Sequence, residues 1–387
     1  MNNLNDRDAT YLDNGATTPI DPDVLDTMMK ALRDGFGNPS SLHQLGATAA
    51  RTLRTARQTV ADALHVDPKE IVFTGGGTEA DNLGIRGSAL AASPKRRHAL
   101  IFALEHPAVR LQRAFLENLG FLVEEIPTKP NGVCDVDALE SLIRPKETAL
   151  VAVMHANNEI GTIQPLEDIG DLLEDECPEA AFHVDAVQAF TKVPVQPRRF
   201  RASTIALAGH KFHGPKGIGV LYVRKGARVS PLQIGGGQEN GIRPGTENVP
   251  NIAGFAKATE LGMAHLASDM RQMAELRDWL IHELCTQLDD VSLNGDATQR
   301  LCNNVNVNIR NARSEILLHA LEEQGIYVSS GSACHASQKG PSHVLKAIGL
   351  TEADTGCLRI TLSRYTTRQD VERCAAVLKS IVPEIRR

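Results

Sequence analysis

A lysine in a glycine-rich turn is the first residue of this chain that could do covalent chemistry. The apolar run Ile205 to Leu207 predicts a strand that ends at His210-Lys211, and a Gly/Pro turn then leads to a second apolar run, Val220 to Val223. If Lys211 is desolvated at the mouth of the strand, its pKa falls and its neutral amine can attack a carbonyl. The aldehyde of pyridoxal phosphate is the natural partner. A solvated loop lysine is the alternative.

A glycine-rich segment ahead of a predicted helix is a candidate phosphate site. A buried strand is predicted at Ile71 to Phe73, and Gly75-Gly76-Gly77 and Thr78 follow it. Glycines let the backbone approach a ligand closely, and the free N–H groups at a helix start suit a phosphate, to which Thr78 would add a hydroxyl. The segment matches neither the Walker pattern nor the dinucleotide fingerprint. The alternative is a tight turn in which Thr78 caps the helix.

Cys334 is the candidate nucleophilic thiol. It lies in the segment Ser329 to His343, which is rich in small and polar residues and therefore predicts an exposed thiol. Unpaired cysteines, in contrast, are usually buried. The seven cysteines of the chain are scattered and contain no CxxC pair, which argues against a disulfide framework or a structural zinc site. We therefore predict no metal, and an inert surface thiol is the alternative for Cys334.

Seven apolar runs predict the sheet that positions these residues. Most are continuously apolar, as in a sheet covered on both faces, and helical stretches separate several of them, so we predict an α/β fold with a mainly parallel seven-stranded sheet. Ligands of such sheets lie beyond the carboxyl ends of the strands. The runs are 71–73, 100–103, 121–123, 150–153, 182–184, 205–207 and 220–223. The polar residues that follow them are Thr78, Glu105-His106, Asn157-Asn158, Asp185 with Gln188, and His210-Lys211.

The length of 387 residues suits a large domain and a smaller one. A long helical pattern covers 251–288, and strands at 305–309, 326–328 and 358–362 with helices at 315–323 and 368–382 predict a small α+β domain. We expect the large cofactor-binding domain to span 15–262. The small domain would comprise 1–14 and 263–387 and carry the Cys334 segment.

Composition limits the ligand classes. A net charge of -6 gives no basic footprint, so nucleic acid is not expected as a direct ligand. The polar N-terminal residues lack a secretory pattern, and no apolar run is long enough to cross a bilayer. We therefore expect a cytoplasmic protein with no membrane partner.

These residues together resemble the cysteine desulfurases, within the class V aminotransferase family of pyridoxal-phosphate enzymes of fold type I. The resemblance runs nearly end to end, from Tyr11-Leu12-Asp13 to Leu358-Arg359-Ile360-Thr361-Leu362-Ser363. Cys334 to Pro341 is similar to the longer catalytic loop of the first desulfurase group, which supplies iron–sulfur assembly and tRNA thiolation. The other shared motifs, in family order, are Gly76-Gly77-Thr78-Glu79-Ala80-Asp81-Asn82, Glu105-His106, Asn157-Asn158-Glu159-Ile160-Gly161, His183-Val184-Asp185-Ala186-Val187-Gln188, Gly209-His210-Lys211, Arg243-Pro244-Gly245-Thr246 and Ser329-Ser330-Gly331-Ser332-Ala333-Cys334.

The resemblance implies roles around the cofactor ring. Lys211 would hold pyridoxal phosphate as a Schiff base and then act as acid and base at the substrate's α-carbon. Asp185 would pair with the pyridinium nitrogen, although a lone Asp after a strand is more often a cap. His106 would stack on the ring and take part in catalysis by shuttling protons, and Gln188 would bind the ring's phenolic oxygen. A histidine after a strand is, taken singly, more often a loop residue with its bonds satisfied.

The resemblance also implies phosphate and substrate ligands. Thr78 and His210, with the backbone at Gly77, would hold the phosphate. Thr246 resembles the residue that reaches the phosphate of the partner subunit, so a homodimer with shared sites is implied. Asn158 would lie at the cofactor and, with Arg359, take the carboxylate of L-cysteine, a bidentate task that suits arginine. A strand-edge salt bridge is the alternative for Arg359.

Sulfur chemistry is implied for Cys334. It would attack the sulfur of the bound substrate, release L-alanine and keep a persulfide for a sulfur-acceptor protein. His335 and Lys339 are candidates to stabilise the thiolate. The chain departs from many relatives at Ala208, where a serine donor to the phosphate is common, and at His335, where Thr or Ser is common. These departures concern the strength of the phosphate site and the identity of the acceptor.

Alternatives to the desulfurase remain at this stage. A selenocysteine lyase, or another lyase or aminotransferase of the same fold, would not need the Cys334 nucleophile. A non-catalytic sulfur carrier or scaffold is a third possibility, against which the set Lys211, Asp185, His106 and Cys334 argues. Acceptors in iron–sulfur assembly, tRNA thiolation and DNA phosphorothioation all remain open.

Overall fold

The computed structural model describes residues 9–330, 341–351 and 356–386. Its strands are β1 (Thr10–Tyr11), β2 (Ile71–Thr74), β3 (His98–Phe102), β4 (Leu122–Ile126), β5 (Thr148–Ala152), β6 (Ala181–Asp185), β7 (Thr204–Ala208), β8 (Gly219–Val223), β9 (Val291–Leu293), β10 (Asn304–Ile309), β11 (Ile326–Tyr327) and β12 (Cys357–Thr361). Its α-helices are α1 (Pro22–Asp34), α2 (Gln44–Leu64), α3 (Gly77–Ala91), α4 (Pro107–Arg110), α5 (Gln112–Asn118), α6 (Val136–Leu142), α7 (Leu166–Glu176), α8 (Val249–Ala264), α9 (Leu266–Gln287), α10 (Ser314–Glu323), α11 (His343–Ala347) and α12 (Arg368–Ile385). Within these described ranges, no helix combines the length and the apolar character needed to cross a membrane.

The main sheet has seven strands in the order β2-β8-β7-β6-β5-β3-β4. Strand β8 pairs antiparallel with both of its neighbours, and the other pairs are parallel, so six strands run in one direction. Every residue of β3, β5 and β7 is buried, because helices cover both faces of the sheet. All seven predicted apolar runs lie in this sheet, which confirms the mainly parallel α/β fold.

Helix α2 shows how the apolar spacing builds the cover of the sheet. Leu53, Ala56, Val60 and Leu64 recur at helical spacing, and all four are buried in the main core. The helix begins at Gln44, well before Leu53, because His43 caps it, accepting a hydrogen bond from the Gly46 N–H through Nδ1. The helix is therefore longer at its N-terminal end than its apolar spacing alone indicates.

A second, smaller sheet has the antiparallel order β12-β10-β9. Apolar residues of α9, α10 and α12 form one core cluster with it, including Leu280, Leu317 and Leu378. The predicted strands at 305–309 and 358–362 are present, whereas β9 was not predicted. The predicted long helix over 251–288 is divided into α8 and α9 at His265. The exact domain boundaries at 14/15 and 262/263 stay a prediction.

Candidate active site

The predicted site residues that lie within the described ranges, with one exception, surround a single cavity at the carboxyl edge of the main sheet. The cavity has a volume of about 270 Å³. Strands β2, β3, β5, β6 and β7 end at this edge, and residues at each strand end or a few positions beyond it line the same space. The predicted residues that line the cavity are Gly77, Thr78, His106, Asn158, Asp185, Gln188, His210, Lys211 and Arg359.

Lys211 follows strand β7 and directs its amine toward the N-terminal segment. Its Nζ donates hydrogen bonds to the backbone oxygens of Gly15 and Ala16, both at 2.8 Å. Burial, together with the positive charges of Arg359 and Lys192, lowers the pKa of Lys211 to about 8. A neutral amine is therefore accessible near neutral pH, as a nucleophile for a carbonyl requires. This environment differs from that of a solvated loop lysine.

Asp185 ends strand β6 as a buried carboxyl group. One of its oxygens, Oδ1, accepts a hydrogen bond of 2.9 Å from the Val187 N–H. Burial and the neighbouring carboxyl of Asp81 raise the pKa of Asp185 to about 7. Burial deprives the carboxylate of stabilisation by water. A cationic group in the cavity would favour the ionised form, because its opposite charge would stabilise the carboxylate in place of water. A protonated pyridine nitrogen is such a group.

Asp81 is a cavity residue that sequence reasoning missed. Its Oδ1 lies 3.2 Å from His183 Nε2, and His183 Nδ1 lies 2.9 Å from the hydroxyl of Thr204. Burial raises the pKa of Asp81 to about 8 and lowers that of His183 to about 4, which disfavours the charged form of each group. The spacing could have signalled Asp81, since it follows Thr78 by three residues and so shares a helix face with it.

The close approach of α3 to β6 depends on Gly84. A Cβ atom at this position would lie 2.5 Å from His183 Nδ1. Real Cβ atoms do not approach ring atoms so closely, so a larger residue would push the helix away from the strand. Gly84 therefore allows Asp81 to reach His183 beside Asp185.

His106 and Gln188 complete the middle of the cavity. His106 caps helix α4, and its Nδ1 accepts a hydrogen bond of 3.2 Å from the Ala108 N–H. The neutral ring consequently carries its proton on Nε2. Gln188 Nε2 donates to the Gly15 oxygen at 2.9 Å, the same oxygen that accepts from Lys211. The backbone of the N-terminal segment thus holds two site residues, a contribution that the sequence pattern did not indicate.

The N-terminus of α3 lines one end of the cavity, here called the phosphate end because its groups would suit a phosphate. Helix α3 begins at Gly77, where a Cβ atom would lie 2.9 Å from Val187 Cγ2 and 3.2 Å from the Ala208 methyl group, so a side chain would crowd this corner. His210 Nδ1 lies 3.2 Å from the Thr17 hydroxyl, and burial with the charge of Lys211 lowers the His210 pKa to about 4. A neutral histidine, Thr78 and the helix N–H groups suit a phosphate.

Arg359 connects the small sheet to the cavity. It lies on β12, with a side chain only 2% exposed, and its Nη2 lies 2.9 Å from Asp13 Oδ1. Its Nη1 donates to the backbone oxygen of Asn158 at 3.0 Å, and its Nε has no hydrogen-bond partner among the described residues. The salt bridge considered as an alternative is present, and the same guanidinium also lines the cavity. An unpartnered buried N–H suits a carboxylate ligand.

One predicted residue does not line this cavity, and three others are not described by the structure. Thr246 is the exception among the described residues: it is exposed on the loop before α8 and does not line the cavity of its own chain. Cys334, His335 and Lys339 lie outside the described residues.

The donor set fits pyridoxal phosphate. A lysine amine of lowered pKa matches the aldehyde, a buried carboxyl group matches the ring nitrogen, and a glycine-started helix with a neutral histidine matches the phosphate. The buried guanidinium then matches the carboxylate of an amino-acid substrate. Each group of the cofactor and substrate has a partner of suitable charge along the cavity.

Comparison with known proteins points to the same chemistry. The family described as Aminotransferase class-V matches residues 10–374. A cysteine desulfurase of Nostoc sp. is 45% identical over 377 residues, covering 97% of this chain and 93% of that protein. A solved NifS-like protein superposes with a TM-score of 0.91 at 36% identity, covering 97% of this chain and all of the other. A structure described as SspA in complex with cysteine has a TM-score of 0.81 at 35% identity, covering 92% and 100% of the two chains.

The match spans nearly the whole chain, and a lysine, a carboxyl group and an arginine line one cavity. The chain therefore belongs to the class V aminotransferase family and, within it, to the pyridoxal-phosphate-dependent cysteine desulfurases.

Proposed function

We propose that this chain removes sulfur from L-cysteine through Cys334, releases L-alanine and passes the sulfur to an acceptor protein. The observation that carries the proposal is the meeting of Lys211, Asp185 and Arg359 in one cavity, because an amine, an acid and a guanidinium are what an amino-acid substrate and its cofactor need. The cysteine named in the related SspA structure supports the choice of substrate.

The proposed cofactor ligands follow from charge and position. Thr78, His210 and the α3 N-terminus at Gly77 would hold the phosphate, and Asp185 would face the ring nitrogen. His106 would cover the ring, with Gln188 and Asn158 at its edge. Bound pyridoxal phosphate supplies an electron sink for the bonds of the substrate's α-carbon.

The chain's own residues would orient the substrate and move its protons. Arg359, with Asn158, would bind the substrate's carboxylate and so fix the direction of the α-carbon–hydrogen bond. Lys211 would hold the cofactor through its amine until the substrate's amine displaces it. The freed Lys211 amine, with its pKa lowered to about 8, would then take the proton from the α-carbon and later return one.

The sulfur step requires Cys334 as a thiolate. Its Sγ would attack the substrate's sulfur, forming an S–S bond as the bond between the substrate's Cβ and sulfur breaks. The electron pair of the broken bond would stay with the carbon fragment, which takes up a proton and leaves as L-alanine. The outer sulfur of the persulfide would then move to an acceptor of iron–sulfur assembly, tRNA thiolation or DNA phosphorothioation. Cys334 is assigned from its sequence motif alone.

A homodimer is the proposed assembly. Thr246 is exposed, and Arg243 in the same loop bonds Glu79 of α3 at 2.8 Å, which holds the loop near the phosphate end. The exposed apolar side chains Leu42 and Ile234 lie on loops that a partner subunit would cover. A second copy would bring its Thr246 to this chain's phosphate site. Light scattering of the Ile234→Asp variant tests this, with a smaller mass expected and an unchanged mass as the contradicting result.

Mass spectrometry after brief exposure to L-cysteine, with alanine assayed in the same tube, tests the reaction. We expect alanine and one extra sulfur mapped to Cys334. Cys334→Ala should lose both while keeping the cofactor, whereas Cys285→Ala, which removes a partly exposed thiol of α9, should lose neither. Normal desulfuration by Cys334→Ala would refute the proposal. Cofactor without either product would direct the assays to selenocysteine and keto acids.

A further inference from the structure

A second lysine, Lys192, is buried next to Lys211 and has no part in the reaction proposed above. It lies in the turn that follows β6 and is only 6% exposed. Its Nζ donates a hydrogen bond of 3.0 Å to the backbone oxygen of Lys211. The salt bridges of the described residues include none to Lys192. Burying a cation without an opposite charge is costly, so its presence calls for a functional explanation.

The surroundings of Lys192 explain why it stays unpaired. Lys192 and Lys211 both line a cavity of about 20 Å³, and Asp269, Arg364 and His213 also line it. Asp269 is the one acidic residue among the described residues that line this cavity, and it pairs with Arg364 at 3.8 Å. The Cys302 thiol donates to the Lys192 backbone oxygen at 3.5 Å and leaves the amine without a counter-charge. The Lys192 amine thus donates its hydrogen bond to the Lys211 backbone oxygen and forms no salt bridge with a described residue.

We propose that Lys192 is a positioning residue for Lys211, fixing the backbone from which the reactive side chain departs and favouring the neutral form of its amine. The inference rests on the proposed role of Lys211. The backbone oxygens of Gly15 and Ala16 accept from the Lys211 amine and by themselves would favour the ammonium form. The positive charge of Lys192, whose amine contacts the Lys211 backbone, opposes that effect.

The charges that face Lys211 agree in direction with this role. Burial, Arg359 and Lys192 lower its pKa, whereas Asp185 and Asp13 raise it. Removing the charge of Lys192 therefore raises the pKa of Lys211. The pKa of Lys192 itself is lowered to about 8 by burial, with Arg364 contributing, so it carries its charge at pH 7. The effect should weaken above pH 8 as Lys192 loses its proton.

Competitive acylation of the cofactor-free protein with trace acetic anhydride across a pH series measures the Lys211 amine directly, with mass spectrometry of the Lys211 peptide as the readout. Lys192→Met removes both the charge and the hydrogen-bond donor, and Lys192→Gln removes the charge but keeps a donor. Lys95→Met, which removes an exposed charge, is the matched control. We expect both Lys192 variants to raise the Lys211 midpoint by about one pH unit, which lowers the neutral fraction at pH 7 about tenfold. Lys95→Met should leave it unchanged.

An unchanged Lys211 midpoint in the Lys192 variants would overturn the inference, even if their melting temperatures fall, because lost packing alone does not move this titration. If Lys192→Met is insoluble, Lys192→Gln decides. Borohydride reduction of the holoenzyme and peptide mapping test the proposed function separately. Cofactor fixed to a residue other than Lys211 would refute the proposed function, whereas the acylation series would still decide the influence of Lys192 on its neighbour.

Discussion

Replacing Arg359 with lysine should weaken binding of the substrate's carboxylate while the cofactor stays bound. The guanidinium already donates to Asp13 and to the Asn158 oxygen, and its buried Nε has no partner among the described residues. The planar guanidinium carries five N–H donors and can bind these acceptors and a carboxylate at the same time. A lysine ammonium carries three donors on a single nitrogen atom. The variant should therefore hold either Asp13 or the substrate, but not both well.

The size of the effect follows from the loss of one hydrogen bond to a charged group. Such a bond contributes about 1.5–3 kcal/mol, which corresponds to a loss of about 10- to 150-fold in kcat/KM. The side chain is 2% exposed, so water cannot replace the missing donor at full strength. We expect a value in the upper half of this range.

The assay compares kcat/KM for alanine formation with the inhibition constants of L-alanine and L-alaninamide. Arg359→Lys should weaken inhibition by L-alanine and leave that by the amide, which lacks the carboxylate, unchanged. Arg277→Lys is the matched control, because Arg277 is also buried but donates to the backbone oxygens of Arg300 and Leu301. Equal loss for both inhibitors, or no loss for either, would refute the carboxylate role.

Three further predictions follow from the site. Asp185→Asn should lower kcat for alanine formation about ten- to 100-fold, since the charge-assisted bond to the ring nitrogen is lost, and an unchanged kcat would contradict the assignment. Gly84→Ala should lower the free energy of unfolding by about 1–3 kcal/mol in urea, because its Cβ would lie 2.5 Å from His183 Nδ1; Gly237→Ala, which meets open space, is the control, and equal stability of the two variants would count against the contact. The rate at which cofactor-free protein rebinds pyridoxal phosphate should rise with pH and level off above a midpoint near 8, because only the neutral Lys211 amine reacts; a pH-independent rate would exclude this amine as the reacting group.

The main sheet could be predicted from the sequence because its strands are buried on both faces. Such strands appear as continuous apolar runs, and all seven runs proved to be strands of one sheet. The parallel arrangement then predicts that residues after the strands meet at one edge, as Thr78, His106 and Lys211 do. The break between α8 and α9 at His265 was missed because helical spacing continues on both sides of it.

The contacts that adjust the site could not be predicted in this way. Asp13 and Arg359 are 346 residues apart, and the backbone oxygens of Gly15 and Ala16 reach Lys211 from almost 200 residues away. Asp81 has its partner in His183, 102 residues later. The sequence by itself determines which residue types stand at the strand ends, since local periodicity and burial control strands and helices. Only the tertiary structure decides which charges lie together in a region without water, and there the distance between groups, rather than their order in the chain, sets their pKa and their chemistry.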